Sequence, residues 1–176
     1  MRSSWESPVP GVHQSLLLEL YSGYGLARFN SGGTSTNLNG GMGSFGYNFK
    51  PWLQIGGDAS YNVVAINGVR NVLYGNHFGA RYFYHRFSRF TPFAEGLVGG
   101  SRVDTSGGGV QTSTNCISYK VGGGVDYRAS RRWEIRLFNV DYYRTSFGTG
   151  TGYPGQSNYW ASAGVVLRLF GSGASE

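Results

Sequence analysis

Histidine is the side chain most often used as a general base or a metal ligand, so the histidines are the first candidates for chemistry. The sequence contains three, His13, His77 and His85, and no two of them have the spacing of a metal site. His77 lies in a segment that alternates between polar and apolar residues, and a preceding segment offers Asp58 or Ser60 as a partner. A Ser/His or Asp/His pair is what a hydrolytic enzyme needs. We nevertheless expect a solvated or hydrogen-bonded histidine in each case, and we predict no enzymatic activity and no cofactor.

Charged residues recur at every second position in several segments. Between Asn115 and Arg128 the apolar residues share one parity and the charged residues share the other, which predicts a β-strand with one apolar and one charged face. In the other alternating segments, acidic and basic residues likewise occupy every second position, on the polar face of the predicted strand. These residues form a candidate charge network: Glu19, Asp58, Arg81, Glu95, Lys120, Asp126, Glu134, Arg136 and Arg168.

Eight alternating segments and no helix account for the pattern of the chain. The parity breaks at Phe138 and Asn139, where a β-bulge would restore the apolar residues to one face. The predicted strands run over residues 15–30, 38–49, 52–66, 71–84, 93–104, 115–128, 133–145 and 158–169.

The connections between these segments differ in character. Stretches rich in Gly, Ser and Thr near Gly32, Gly108 and Gly150 predict longer loops, while Asn67 and Gly68 predict a tight hairpin. The other connections, after Phe49, Tyr84 and Arg128, are short and carry proline or basic residues. Short turns at one end and longer loops at the other are typical of bacterial outer-membrane barrels.

The composition is unusual for a soluble domain. Of 176 residues, 14% are charged, where about a quarter is usual, while 16% are aromatic and 30 are glycine. No apolar run approaches the roughly 20 residues of a membrane helix. The net charge of +6 comes from scattered arginines, a distribution that disfavours a nucleic-acid partner.

Two barrel architectures fit the alternation, and they differ in which face meets water. In a soluble lipocalin-like barrel the apolar face would line a ligand cavity, whereas in a membrane barrel it would face lipid. The charged parity is also rich in glycine, which suits the narrow interior of an eight-stranded barrel. Aromatic residues recur near the strand ends, and neither a C-terminal helix nor an early G-x-W motif is present. These features favour the membrane barrel, and the soluble ligand-binding barrel remains the alternative.

Three stretches carry a family resemblance: Phe78 to Tyr84, Arg136 to Phe147 and the terminal S-A-G-V-V-L-R-L-F from Ser162 to Phe170. They resemble strands of the OmpA-like or porin-family small outer-membrane barrels, over roughly residues 16–170. The chain departs from that pattern by continuing past Phe170 and by lacking a peptidoglycan-binding domain. The resemblance implies an all-β, eight-stranded antiparallel up-and-down transmembrane β-barrel in a bacterial outer membrane. Its partners would be outer-membrane lipid and an unknown loop partner, and it would be a monomer or weak oligomer.

We expect residues 15–170 to form the barrel, between an N-terminal periplasmic segment, residues 1–14, and a flexible tail, residues 171–176. The first residues lack the apolar core of a signal peptide, so we expect an export signal to have been removed. Basic residues at the short-turn end would meet anionic headgroups if that end is periplasmic. They are Lys50, Arg86, Arg89, Arg131 and Arg132.

The charge network suggests a function. Ions in a low-dielectric lumen require partners, so we expect the network to plug the barrel, with Lys120 and Asp126 near Glu95 and Glu134 on adjacent strands. This predicts a structural or surface-interaction protein. The alternatives are a narrow gated pore, in which the same charges select ions, and an outer-membrane lipid-modifying enzyme that uses His77. Cys116 is expected near the outer loop end, within reach of a membrane-impermeant thiol reagent.

Overall fold

The computed structural model describes residues 14–31, 34–66, 69–84, 89–107, 110–146 and 156–172. They form eight strands in a closed barrel in which each strand pairs antiparallel with its neighbours in sequence, and β1 pairs with β8. The predicted fold class is confirmed. In this part of the chain no helix has the length and apolar character needed to cross a membrane. The strands are β1 Gln14–Ser31, β2 Thr34–Lys50, β3 Leu53–Ile66, β4 Val69–Phe83, β5 Phe90–Gly107, β6 Val110–Arg128, β7 Trp133–Ser146 and β8 Gln156–Ser172.

Several strands are longer than the alternation predicts. The stretches near Gly32 and Gly108 were expected to be longer loops, but the strands on either side pair as far as Ser31 with Thr34 and Gly107 with Val110. Threonine explains the difference, because it favours the pleated backbone, and Thr105 pairs with Thr112. The expected loop near Gly150 lies outside the described residues.

The outer face of the barrel is apolar. Two belts of exposed aromatic side chains flank a band of exposed aliphatic residues, the arrangement of a lipid-facing barrel wall. This exterior contradicts the soluble ligand-binding alternative, which requires the apolar parity to face inward. The belt at the short-turn end comprises Tyr47, Phe49, Trp52, Tyr82, Tyr84, Phe90 and Trp133, and the belt toward the loops comprises Tyr24, Tyr61, Tyr74 and Tyr159.

A β-bulge interrupts β7, as the parity break predicts. The register shifts between Val125 and Asp126 on β6, and between Arg136 and Asn139 on β7. Leu137 and Phe138 both point outward, with 45% and 51% of their surfaces exposed. Because the bulge absorbs one residue, Arg136 before it and Asn139 after it both point into the lumen.

Glycines on the inner face make room for large polar side chains. A Cβ atom at Gly46 would overlap the side chain of Gln54, and one at Gly122 would overlap Asp141. The bore of an eight-stranded barrel is only wide enough for side chains to fill it. Glycine in the wall therefore allows long polar residues from neighbouring strands to lie across the lumen.

Candidate functional site

Each residue of the predicted charge network is buried inside the barrel, with at most 7% of its surface exposed. Arg136 is fully buried, and Asp126 and Lys120 are nearly so. Isolated charges in such an interior would be strongly unfavourable, so each needs a partner of opposite charge or a hydrogen-bonding group. The structure supplies these partners in two layers.

The layer nearer the short turns is built on arginine–carboxylate pairs. Arg81 donates from Nε and Nη2 to Oε2 of Glu95, at 2.9 and 2.6 Å. Arg136 donates from Nε and Nη2 to the two carboxylate oxygens of Asp126, at 2.8 and 3.0 Å. The Arg136 guanidinium also lies 4.3 Å from the ring centre of Phe93 and 4.5 Å from that of Tyr21. Two parallel hydrogen bonds and two aromatic faces fix this guanidinium in place.

Further contacts extend this layer toward the β1–β8 junction. Arg168 lies 2.9 Å from Oε1 of Glu134 and 3.8 Å from Oε1 of Glu19. Gln54 donates to Glu19 at 2.7 Å, and its carbonyl oxygen accepts from Arg81 at 2.8 Å. We call this connected set the arginine tier. It comprises Glu19, Gln54, Arg81, Glu95, Asp126, Glu134, Arg136 and Arg168.

The layer nearer the loops is built on one lysine and a chain of uncharged groups. Lys120 donates from Nζ to both oxygens of Asp58, at 3.2 and 3.0 Å. Asp58 is hydrogen-bonded to Nδ1 of His77 at 2.9 Å, and Nε2 of His77 to Oγ of Ser118 at 2.8 Å. The chain continues through Ser101 to the Tyr143 hydroxyl. We call this set the lysine tier. It comprises Asp58, His77, Ser101, Ser118, Lys120 and Tyr143.

Asn139 links the arginine tier to a further buried carboxyl group. Its Nδ2 donates to Glu95 and to Asp141, in each case at 2.8 Å. A buried apolar cluster that contains Leu38, Met42, Leu73 and Trp160 also lies inside the barrel, and it extends to Tyr143 of the lysine tier and to Tyr21 beside Arg136. A void of about 10 Å³ beside Asp58, Arg81 and Glu95 has room for a single water molecule at most.

The order Ser118, His77, Asp58 is that of a hydrolytic triad, yet the surroundings do not suit catalysis. Ser118 is 0% exposed, and His77 is 4% exposed. Oγ of Ser118 is also hydrogen-bonded to Ser101. A nucleophile needs space for a substrate carbonyl beside it, and these contacts occupy that space. The geometry therefore serves to hold Asp58 and Lys120.

Some sequence-based expectations need correction. Lys120 was expected near Glu95 or Glu134 but binds Asp58 on β3, and Asp126 binds Arg136 instead. Lys120 reaches Asp58 across the bore, whereas Asp126 and Arg136 are register partners on the adjacent strands β6 and β7. Cys116 is only 9% exposed and points inward, so an aqueous thiol reagent will not reach it readily.

Other predicted positions are placed as follows. Asp58 does lie beside His77, but Ser118 takes the place expected for Ser60. Lys50, Arg89, Arg131 and Arg132 are exposed at the short-turn end. His13, His85 and Arg86 lie outside the described residues. Within the described ranges, no group of three His, Cys, Asp or Glu residues could hold a metal ion.

The sequence-based network omitted several buried polar residues. Asn139 and Asp141 are 0% exposed. They could have been predicted from the sequence, because the predicted bulge shifts the alternation so that both residues point inward. Gln54 had the same parity as Asp58 and could have been included. Leu38 and Met42 could not be assigned to the interior from the sequence. Both are apolar but occupy positions of β2 where polar residues are expected, so the pattern did not show which face of the strand points inward.

No family model and no curated protein matches the sequence. Solved structures do match in fold: Neisserial surface protein A (NspA), at 18% identity, has a TM-score of 0.73 over 86% of this chain and 97% of that one. The Yersinia pestis attachment invasion locus protein, Ail, gives 14% identity and a TM-score of 0.63 over 88% and 99%. The N-terminal β-barrel domain of Pseudomonas aeruginosa OprF gives 15% and 0.58 over 89% and 100%.

The chain has the fold of a small outer-membrane β-barrel. The resemblance noted in the sequence is confirmed at the level of the fold. An apolar band between two aromatic belts is the outer surface that lipid requires. Fold and surface together place the protein in a bacterial outer membrane, in contact with lipid.

Proposed function

We propose that this protein is a closed outer-membrane barrel that acts through its surface rather than by conducting solutes or by catalysis. The observation that carries the proposal is the burial of paired charges in two tiers inside the lumen, together with a buried apolar cluster. An ion path needs a hydrated route with weak, exchangeable sites. Here the charges bind one another instead, and Arg136, at the centre of the arginine tier, is fully buried.

A lipid-modifying role is disfavoured by the position of the only candidate machinery among the described residues. Lipid would approach from the outer wall, whereas His77 and Ser118 face the interior and are buried.

The charge network instead has a structural role, which is to hold the barrel in one closed shape. Buried ion pairs of this kind contribute specificity more than net stability, because desolvation offsets much of their attraction.

A surface role is favoured by the loop end of the barrel. A tilted transmembrane strand needs about 9–11 residues, and β5 and β6 have 18 and 19. Their hairpin therefore extends beyond the membrane, with Arg102 and Ser113 exposed on it. The names of two proteins of similar fold, a surface protein and an attachment protein, agree with such a role.

Planar bilayer recordings test the closed lumen. We expect the wild-type protein to give no steady stepwise conductance, because both tiers cross the bore. A variant that shortens one side chain in each tier and one in the apolar cluster, Arg136→Ser with Lys120→Ser and Trp160→Ala, should give openings. A matched control, Arg102→Ser with Asp104→Ser, removes an exposed pair and should stay closed. Steady conductance of the wild-type protein would contradict the proposal.

A further inference from the structure

A groove of about 430 Å³ crosses the outer wall on strands β1 to β4. Its floor consists of small residues that point outward, chiefly Ser22, Gly41, Gly43 and Ala59. Small outward residues also occur elsewhere on the wall, at Ala94, Gly96, Ala161 and Ala163, but this depression lies between exposed aromatic side chains.

Aromatic side chains border the groove on two sides. Toward the loops, Tyr61 and Tyr74 pair across β3 and β4 with ring centres 5.3 Å apart. Toward the short turns, Phe45 and Phe78 are exposed on either side of Gly57. The two tyrosines belong to the belt that marks the loop-side membrane interface. The groove therefore lies at the depth of lipid acyl chains.

Arg70 lies at the loop-side end of this groove. Nη2 of Arg70 donates to the Tyr61 hydroxyl at 3.1 Å, so the guanidinium lies directly above the groove lining. No described Asp or Glu forms an ion pair with Arg70. The adjacent Arg102 pairs in register with Tyr74, although Asp104 partly neutralises it at 2.7 Å. A positive charge above a groove of small side chains complements an anionic headgroup above an acyl chain, although Ser22 and Asn76 also line the groove.

We propose that this groove binds an anionic membrane lipid from the loop-side leaflet, with an acyl chain against Gly41 and Gly43 and a headgroup phosphate on Arg70. Arginine suits this role because its planar group donates two hydrogen bonds to one phosphate. The site belongs to the outer wall and depends only on the membrane location, not on whether the lumen is closed.

The wall offers clean substitutions for a test. A Cβ atom at Gly41 would meet only a backbone oxygen at 3.9 Å, and one at Gly43 only a backbone oxygen at 3.6 Å, so neither backbone position obstructs an added side chain. The double variant Gly41→Val with Gly43→Val fills the groove, and Arg70→Gln removes its charge. The matched controls are Gly96→Val, where a Cβ meets nothing within 4 Å, and Arg144→Gln on β7.

Native mass spectrometry of the detergent-purified protein measures the lipid retained, with bisphosphorylated lipid A as the probe. We expect each groove or charge variant to lower the apparent affinity about fivefold, the effect of one interfacial charge, and both controls to bind like wild type. Phosphatidylcholine should bind more weakly and should not respond to Arg70→Gln. Heat-modifiable gel migration confirms that every variant is folded.

Three results would overturn the proposal. The first is unchanged retention after the groove is filled. The second is an equal loss in Arg70→Gln and Arg144→Gln, which would mean a diffuse charge effect. The third is a wild-type dimer that disappears in the filled variant while lipid retention persists, because the groove would then be a contact between copies of the chain.

Discussion

The arginine tier and the lysine tier lie in the same lumen but hold their charges by different means. In the arginine tier, Arg81 and Arg136 each give two hydrogen bonds to one carboxylate, and little freedom remains. In the lysine tier, Lys120 is a point charge near Asp58, and the contact is shared with His77. Planar guanidinium pairs are specific in geometry, whereas an ammonium adjusts to its surroundings.

The difference concerns what happens when one partner is lost. In the arginine tier, both hydrogen bonds given to Asp126 come from Arg136, so no uncharged partner of Asp126 among the described residues takes over when Arg136 is lost. In the lysine tier, the hydrogen bond from His77 still compensates Asp58 after Lys120 is removed. Loss of one partner should therefore lower the free energy of unfolding more in the arginine tier than in the lysine tier. Four measurements, one of them on an exposed pair outside both tiers, test this difference.

Arg136→Ala should give the largest effect. It leaves Asp126 buried and unpaired and removes the cation from between Phe93 and Tyr21, so the free energy of unfolding should fall by about 3–5 kcal/mol. Urea unfolding from lipid vesicles measures the change. The control Arg136→Met with Asp126→Leu removes both charges and should recover most of the loss. A double variant as unstable as the single one would mean that packing, not charge pairing, dominates.

Lys120→Met should cost less, about 2 kcal/mol, the value of a hydrogen bond to a charged group. Asp58 keeps its contact with His77 at 2.9 Å, which limits the penalty. The same unfolding experiment applies. A loss equal to that of Arg136→Ala would remove the distinction between the tiers.

Ser118→Ala should cost about 1 kcal/mol, since it removes one uncharged partner of His77. Ser101→Ala is the companion variant, because Ser101 lies next along the same chain but does not contact His77. NMR of the His77 ring should show a changed nitrogen shift only in the first variant. An unchanged ring signal in Ser118→Ala would contradict the hydrogen bond.

The exposed pair Arg102 and Asp104 should give the smallest effect. The pKa of the Asp104 carboxyl lies below its ordinary value of 3.8, because Ser113 and then Arg102 donate hydrogen bonds to it. A lowered pKa stabilises the folded state above the unfolded value, and that contribution is lost as pH falls through the folded value. Unfolding of wild type and Asp104→Asn should therefore differ slightly at neutral pH and converge in acid. Divergence in acid would contradict the sign.

The strand count, the inward-facing positions and a bulge in β7 could be predicted from the sequence, because each depends on alternation along one segment; the break was expected at Phe138 and Asn139, and the structure has it at Leu137 and Phe138. The pairing of the charges could not. Lys120 meets Asp58 across the bore, and this contact depends on the stagger of non-adjacent strands, which no local pattern records. The hairpins near Gly32 and Gly108 were missed because Gly, Ser and Thr satisfy both loop and strand preferences.

The contact between Glu19 and Arg168 joins the first strand to the last. It cannot exist until the barrel has closed, because the two residues belong to opposite ends of the chain and meet only across that junction. Contacts of such long sequence separation form late, after the entropy of closing the chain has been lost. We therefore expect the Glu19–Arg168 pair to form late in folding, when the barrel closes, and a probe at this junction would time that closure.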